Sequence, residues 1–390
     1  MRKALSVIAF FAMALAALIG GCKDKGGDNN SAAEAGEIKI GVFLSLSGKN
    51  ADFGKTTKNG IMLAVDEINA AGGIGGKKLV IVDKDTRSQP DQAQTVAKAL
   101  ATSDKVAVAI GSVESGQSIK AAPVFQEAGI PMVSPSSTNP DVTKQGDRIF
   151  RVCYLDDFQG QACATFAYKD LGLKKAAIIF AQDDDYSKGL ADFFRASFKA
   201  LGGTIVEDVA FQGEVSEFKD QVSKIAAANP EVIFAPVYYG SIGLIARDFR
   251  KQGVKAPLLG GDGWESPQLI QLAGETLEGC YFGYHYDPED KDEKVQSYLK
   301  NYKAKFNTEP NSLSALGYDA VYTVKAAIEL GGGASPDQIT QGLRKVKDFH
   351  GVTGTYSIDE NRNAKKPITM LKIGGTSLSK VKVIQPGDLK

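Results

Sequence analysis

Hydroxyls, phenols and a single acid collect at the ends of short apolar runs in this chain. "VAVAI" is followed by "GSVESG", which holds Ser115, and "IPMV" by "SPSSTNP", which holds Ser136 and Thr138. "AAIIFA" is followed by "QDDDYSKG", "VIFAPV" by "YYGS", and "APLL" by "GGDGWESP", which holds Asp262. Nucleophilic catalysis is the first chemistry to test, and a serine hydrolase needs a base oriented to its serine. The chain has 2 histidines, His285 and His350, neither beside a nucleophile motif, and Ser115 lacks the flanking glycines of a nucleophile elbow. "GGIGGKK", Gly72 to Lys78, follows a helical pattern and has no Ser or Thr after its lysines, so it reads as a turn and not as a phosphate loop. "DDDYSKG" starts like a calcium loop but lacks the glycine and the closing glutamate that such a loop needs. The acidic "DPEDKDEK", Asp287 to Lys294, reads as a solvated loop.

A small zwitterion fits these positions better. A carboxylate accepts about four hydrogen bonds, and a strand-to-helix junction offers hydroxyls beside the unpaired N–H groups of a helix N-terminus. Ser115 starts one such helix; in "SSTNPD" Asn139 is the expected cap, with Pro140 first in the helix and Asp141 in its first turn. Ser136 and Thr138 then offer donors to the same gap, although each serine alone could serve only as a cap. An ammonium group needs a carboxylate, and Asp262 stands between glycines that allow close backbone approach.

The elements that must position these groups alternate. "EIKIGVFLSLSG" predicts a strand, and "NGIMLAVDEINAAGG" a helix with apolar residues at helical spacing and a Gly-Gly stop. Strand "KKLVIVDKD" follows. The same order returns in "KKAAIIFAQ", "LADFFRASFKAL", "GG" and "TIVEDVAF", which implies two lobes of like construction, each a parallel sheet covered by helices. Helices "QPDQAQTVAKALAT" and "SGQSIKAAPVFQEA" enclose strand "KVAVAI", and Pro123 predicts a kink or split in the second helix. In an open α/β sheet the ligand lies beyond the carboxyl ends of the strands, where the hydroxyls and the acid fall here.

The bulk numbers agree with two domains: 390 residues, 43% hydrophobic and 24% charged. Lysine plus arginine and aspartate plus glutamate number 46 each, so no large field attracts nucleic acid, and the partner is a small molecule. Arg2 and Lys3 precede an apolar run, Ala4 to Ile19, too short to span a membrane and typical of an export signal. "IGGC", Ile19 to Cys22, resembles a bacterial lipoprotein cleavage site, with Cys22 lipidated and a polar, Gly-rich tether after it; the alternative is an ordinary cleaved signal. Cys153, Cys163 and Cys280 remain. Export permits a disulfide, but buried free thiols fit the odd count equally well.

From about Ile38 onward the chain resembles the leucine/isoleucine/valine-binding proteins of bacterial ABC transporters. The motifs that carry the resemblance are "IKIGVFLSLSG…FG…NGIMLAVDEINAAGGIGGKKL", "SGQSIKAAPVFQEAGIPMVSPSSTNP", "FR…DDFQG", "DDDYSKGLA" and "GGDGW". It implies an α/β fold of two Rossmann-like lobes, the type I periplasmic binding protein architecture, joined by a multi-strand hinge. Lobe one would take 37–151 plus 287–358 and lobe two 152–286 plus 359–390, after a signal peptide at 1–21 and a tether at 22–36. The ligand carboxylate would meet Ser115, Ser136 (mainly by backbone) and Thr138, and the ammonium would meet Tyr238 and Asp262. Tyr186 would close over the ligand, and Phe53 would cover its side chain. Asp262 stands where leucine-binding members carry glutamate. Glu114 stands near the expected side-chain pocket, where a carboxylate beside a methyl group would be desolvated without a partner; it either turns to solvent or selects a polar or cationic ligand. No cysteine lies near this loop to form the disulfide some members have there. The resemblance implies no enzyme, cofactor or metal, but a monomeric protein on the periplasmic side of a bacterial membrane, where lipid on Cys22 would anchor it. It would deliver an L-amino acid, a branched-chain one first, to an ABC transporter permease. The rival reading is a receptor of the same fold for another small solute, with a sensory role.

Overall fold

A parallel sheet opens the structure because its central strands are continuous apolar runs, as strands covered on both faces must be. The computed structural model describes residues 36–287 and 289–389; the apolar leader and Cys22 lie outside them. Strands β1 (Glu37–Leu44), β2 (Lys78–Asp85), β3 (Val108–Gly111), β4 (Met132–Ser134) and β5 (Ile149–Arg151) form a sheet in the order β2-β1-β3-β4-β5, all parallel. Helices α1 (Ala51–Ala70), α2 (Pro90–Thr102), α3 (Ser115–Glu127) and the single turn α4 (Asp141–Lys144) connect them.

Helix α1 buries Phe53, Thr57, Gly60, Ile61, Ala64 and Ile68 at spacings of three and four, which makes one face. That face meets the helix Ser312–Gly331 so closely that a Cβ at Gly60 would lie 1.8 Å from the Ser314 carbonyl oxygen. The Gly-Gly stop behaves as the sequence implies: Gly73, at φ +82°, donates its N–H to the Ile68 carbonyl at 2.9 Å and turns the chain out of the helix. Two local expectations need correction. Helix α3 runs through Pro123 as one element, so the predicted split does not occur. Pro140 takes the cap position of α4, while Asn139 Oδ1 accepts the Asp141 N–H at 2.8 Å from one residue further back.

The second sheet has strands β6 (Lys175–Ala181), β7 (Thr204–Phe211), β8 (Val232–Phe234), β9 (Leu258–Gly260) and β10 (Tyr281–Tyr284). After the small hairpin β11 (Phe349–Gly351) and β12 (Gly354–Tyr356), strands β13 (Ile368–Gly374) and β14 (Ser377–Ile384) join it antiparallel. Its order is β14-β13-β10-β9-β8-β6-β7. Helices α5 (Asp156–Thr165), α6 (Asp185–Ala200), α7 (Lys219–Ala227) and α8 (Tyr239–Lys251) flank this sheet. The chain leaves the first sheet for the second after β5, leaves the second after β10 for helices that pack on α1, and returns to it after β12.

In each sheet the first strand has its successor on one side and later strands on the other. The order therefore reverses between β1 and β3, and again between β6 and β8. Loops leaving those strands splay apart and leave a crevice at the carboxyl ends. Cys153, Cys163 and Cys280 are free and buried, so the open question of a disulfide among them resolves to buried thiols. Among the described residues no helix is long and apolar enough to cross a membrane.

Candidate functional site

The loops after β3 and β4 are stitched together before they offer anything to a ligand. Ser137 Oγ lies 2.8 Å from the Ser112 carbonyl, 2.9 Å from that of Val113 and 2.7 Å from Ser118 Oγ. Ser134 Oγ donates to the Ser112 carbonyl at 2.9 Å and accepts the Ser137 N–H at 2.9 Å. Buried Arg151 donates to the carbonyls of Ser137 at 2.6 Å and Asn139 at 2.8 Å. Half of the hydroxyls in "SPSSTNP" are thus structural. The other half are not: Ser136 Oγ and Thr138 Oγ1 are buried and hydrogen-bond to no described residue. Thr138 lies close to the Asp156 carboxyl without forming a hydrogen bond of good geometry. Ser115 Oγ accepts the Asn139 N–H at 3.3 Å, which leaves its proton free.

Across the crevice, Tyr186 at the start of α6 and Tyr238 at the cap of α8 stack with ring centroids 5.1 Å apart. Tyr186 donates to Asp262 Oδ1 at 3.0 Å and accepts the Gly263 N–H at 3.0 Å. A Cβ on Gly263 would lie 2.9 Å from Tyr186 and 3.0 Å from Tyr238, so glycine in "GGDGW" lets the phenols reach the acid. Trp264, fully buried, anchors the segment by donating to the Ala235 carbonyl at 2.8 Å. Tyr238 Oη is a third buried hydroxyl without a partner among the described residues.

These groups converge. Phe53, Val113, Ser115, Ser136, Thr138, Tyr186, Tyr238, Asp262, Gly263 and Leu313 line one narrow void. It has about 240 Å³ of unfilled space, of which about 10 Å³ admits the centre of a water molecule. That is close to room for one water, so the walls stand nearly together and a larger guest requires them to part. Contacts between the two halves hold them there. Phe53 packs edge-on against Tyr238 and Tyr239, at 5.6 and 5.0 Å between ring centroids. Tyr239 donates to the Lys49 carbonyl at 2.9 Å, Ser266 to Asp52 at 2.7 Å, and Asn139 Nδ2 to the Asp185 carbonyl at 2.7 Å.

Several residues here were not singled out in the sequence. Gln159 on α5 donates to Asp262 Oδ1 at 2.9 Å and accepts the Asp262 N–H at 2.8 Å. His285, 1% exposed, places Nε2 3.0 Å from Asp262 Oδ2 and stacks on Tyr154 at 4.1 Å. Burial holds its imidazole below the ordinary value, outweighing the pull of Asp262 the other way. A neutral ring with its proton on Nε2 orients Asp262 without neutralising it. Burial first, and the charge of Asp262 second, push the Asp156 carboxyl well above the usual range. Val113 and Leu313 complete an apolar wall with Phe53.

The structure overturns one of the two alternatives for Glu114, the solvent-facing one. Glu114 is 4% exposed, so it does not turn to solvent, and it lines not the void but an adjoining cleft. Its backbone is extended, at φ −74° and ψ 132°, so Val113 and Ser115 face one side of the loop and Glu114 the other.

A sequence profile described as periplasmic binding protein matches residues 37–377. The chain belongs to that family. The periplasmic binding protein described here is similar to the Leu/Ile/Val-binding protein homolog 1 of Brucella suis biovar 1, at 32% identity over 334 residues, 85% of this chain and 88% of that one. Its fold matches a leucine binding protein from Thermotoga maritima with a TM-score of 0.87 at 37% identity, covering 90% of this chain and 99% of that one. It also matches a branched-chain amino acid transporter substrate binding protein from Streptococcus pneumoniae, solved with isoleucine, with a TM-score of 0.85 at 35% identity over 90% and 100% of the two chains. The two-lobed type I architecture and the solute-binding, non-enzymatic character of this periplasmic binding protein follow from these matches.

Proposed function

We propose that this protein captures a free L-amino acid, with a branched aliphatic side chain first among its ligands, and passes it to an ABC permease. The single observation that carries the reading is the void between the lobes. One wall holds three hydroxyls with free protons, the opposite wall holds Asp262 between phenols, and an apolar wall joins them. Ser115, Ser136 and Thr138, with the N-terminus of α3, would hold the carboxylate. Asp262 and Tyr238 would hold the ammonium, Tyr186 would support Asp262 and close the site, and Phe53, Val113 and Leu313 would surround the side chain. Four or five charge-assisted hydrogen bonds at roughly 1.5–3 kcal/mol each, less the ordering cost, are enough for the approximately 8 kcal/mol of a micromolar site.

On this reading lobe one is 37–151 plus 287–358 and lobe two is 152–286 plus 359–390. The ligand bridges them and favours the closed form through contacts it makes only there. The three crossings of the chain, after β5, β10 and β12, suit a bending hinge. The work would be done by a monomer in the periplasm, held to the membrane by lipid on Cys22; mass spectrometry of the mature N-terminus tests the anchor. Calorimetry with L-leucine, L-leucinamide and 4-methylpentanoate tests the site. Leucine binds, and each analogue, lacking one of the two charges, binds about 100-fold more weakly or worse. Equal binding of leucinamide and leucine would remove the carboxylate assignment, and equal binding of 4-methylpentanoate would remove the ammonium assignment.

A further inference from the structure

Beside the void lies a larger cleft of about 810 Å³ that shares Tyr238 as a wall. Residues 113–116 form the partition: Val113 and Ser115 line the void, Glu114 and Gly116 the cleft. The cleft carries four carboxyl groups, Glu114, Asp183, Asp184 and Glu214, against one ammonium, that of Lys49. Glu114 is built into its place. Its Oε1 accepts from Ser45 Oγ at 2.7 Å and Asn50 Nδ2 at 3.3 Å, and Gln117 Nε2 donates to the same Ser45 oxygen at 2.9 Å. Its Oε2 is buried and hydrogen-bonds to no described residue. A fixed, desolvated carboxyl group with one free oxygen on an acid-lined cleft is costly unless a donor meets it.

We propose that this cleft is a side-chain subsite, with Glu114 receiving a nitrogen donor at the end of an amino acid's aliphatic stem. The inference rests on the amino-acid reading of the void and extends it: the apolar wall holds the stem, and Glu114 meets an ammonium, guanidinium or amide beyond it. Burial pushes the Glu114 acid up to about 6, and Asp184 on the other lobe is likewise pushed to about 6, first by burial. A bound cation stabilises the ionised forms, so its capture below pH 7 releases protons, whereas leucine capture does not.

The test is calorimetry of the full mature chain with L-leucine, L-glutamine, L-lysine and L-arginine, in two buffers of different ionisation enthalpy at pH 6. At least one of the three nitrogen-bearing acids binds within about tenfold of leucine, lysine or arginine binding releases protons, and Glu114→Gln lowers lysine and arginine affinity about tenfold more than leucine affinity. Leucine binding with no measurable binding of the other three would overturn this inference and leave the amino-acid reading intact. Lysine or arginine binding unchanged in Glu114→Gln would also overturn it. If none of the four acids binds, the amino-acid reading fails and this inference falls with it.

Discussion

Ser137 and Thr138 are neighbours in one hydroxyl-rich loop, and the geometry assigns them opposite work. Ser137 Oγ reaches the Ser112 and Val113 carbonyls and Ser118 Oγ from a fully buried position. Ser137→Ala leaves those groups short of a partner, at a cost of about 1–3 kcal/mol, or roughly 2–6 °C in Tm. Thr138 Oγ1 bonds to nothing described, so Thr138→Val removes no protein hydrogen bond and changes ligand-free stability by less than about 1 kcal/mol. It does remove a proposed donor to the ligand carboxylate, worth roughly 1.5–3 kcal/mol, so leucine affinity falls about 10- to 150-fold. The assay is thermal unfolding of ligand-stripped protein alongside calorimetric titration with leucine. The expected pattern crosses over: Ser137→Ala loses more stability, and Thr138→Val loses more affinity. If Thr138→Val lost as much Tm as Ser137→Ala and bound leucine normally, Thr138 would be a structural hydroxyl and the carboxylate clamp would be misplaced.

Asp262→Asn keeps an acceptor for Tyr186 and Gln159 but removes the charge; leucine affinity should fall about 10- to 150-fold while 4-methylpentanoate binding stays as it was, and an unaffected leucine Kd would reject the ammonium assignment. Glu265 accepts from the N–H and hydroxyl of Ser312 at the N-terminus of the helix Ser312–Gly331, and burial pushes its acid from 4.5 up to about 7. A carboxyl group raised in the folded state contributes stability that is fully present below about pH 4.5 and is lost as pH rises through about 7. Glu265→Gln should therefore be more stable than the parent at pH 8, by up to about 3 kcal/mol, and lose that advantage toward pH 5; a difference that does not vary with pH would refute this. Burial pushes the Cys153 thiol up to about 12 and raises those of Cys163 and Cys280, so a thiol reagent should label none of the three in the native protein and all three after unfolding.

The alternating order of strands and helices was legible because parallel strands buried on both faces read as apolar runs, and because Gly73 and its like mark where helices stop. The strand ends were legible as a candidate site because hydroxyls and an acid follow the apolar runs "IPMV" and "APLL". What the sequence could not sort was hydroxyl from hydroxyl. Ser134 and Ser137 differ from Ser136 and Thr138 only in which of them reach the Ser112 and Val113 carbonyls, a fact of the folded loop. Nor could it find Gln159 and His285, which meet Asp262 from 103 and 23 residues away with no local signature. Glu114 shows the limit most sharply. In an extended backbone adjacent side chains diverge, so a residue between two that line the void is turned out of it. Position in a motif suggested a place beside the expected side-chain pocket; the peptide geometry turns Glu114 onto the adjoining cleft, with Oε2 buried and bonded to no described residue.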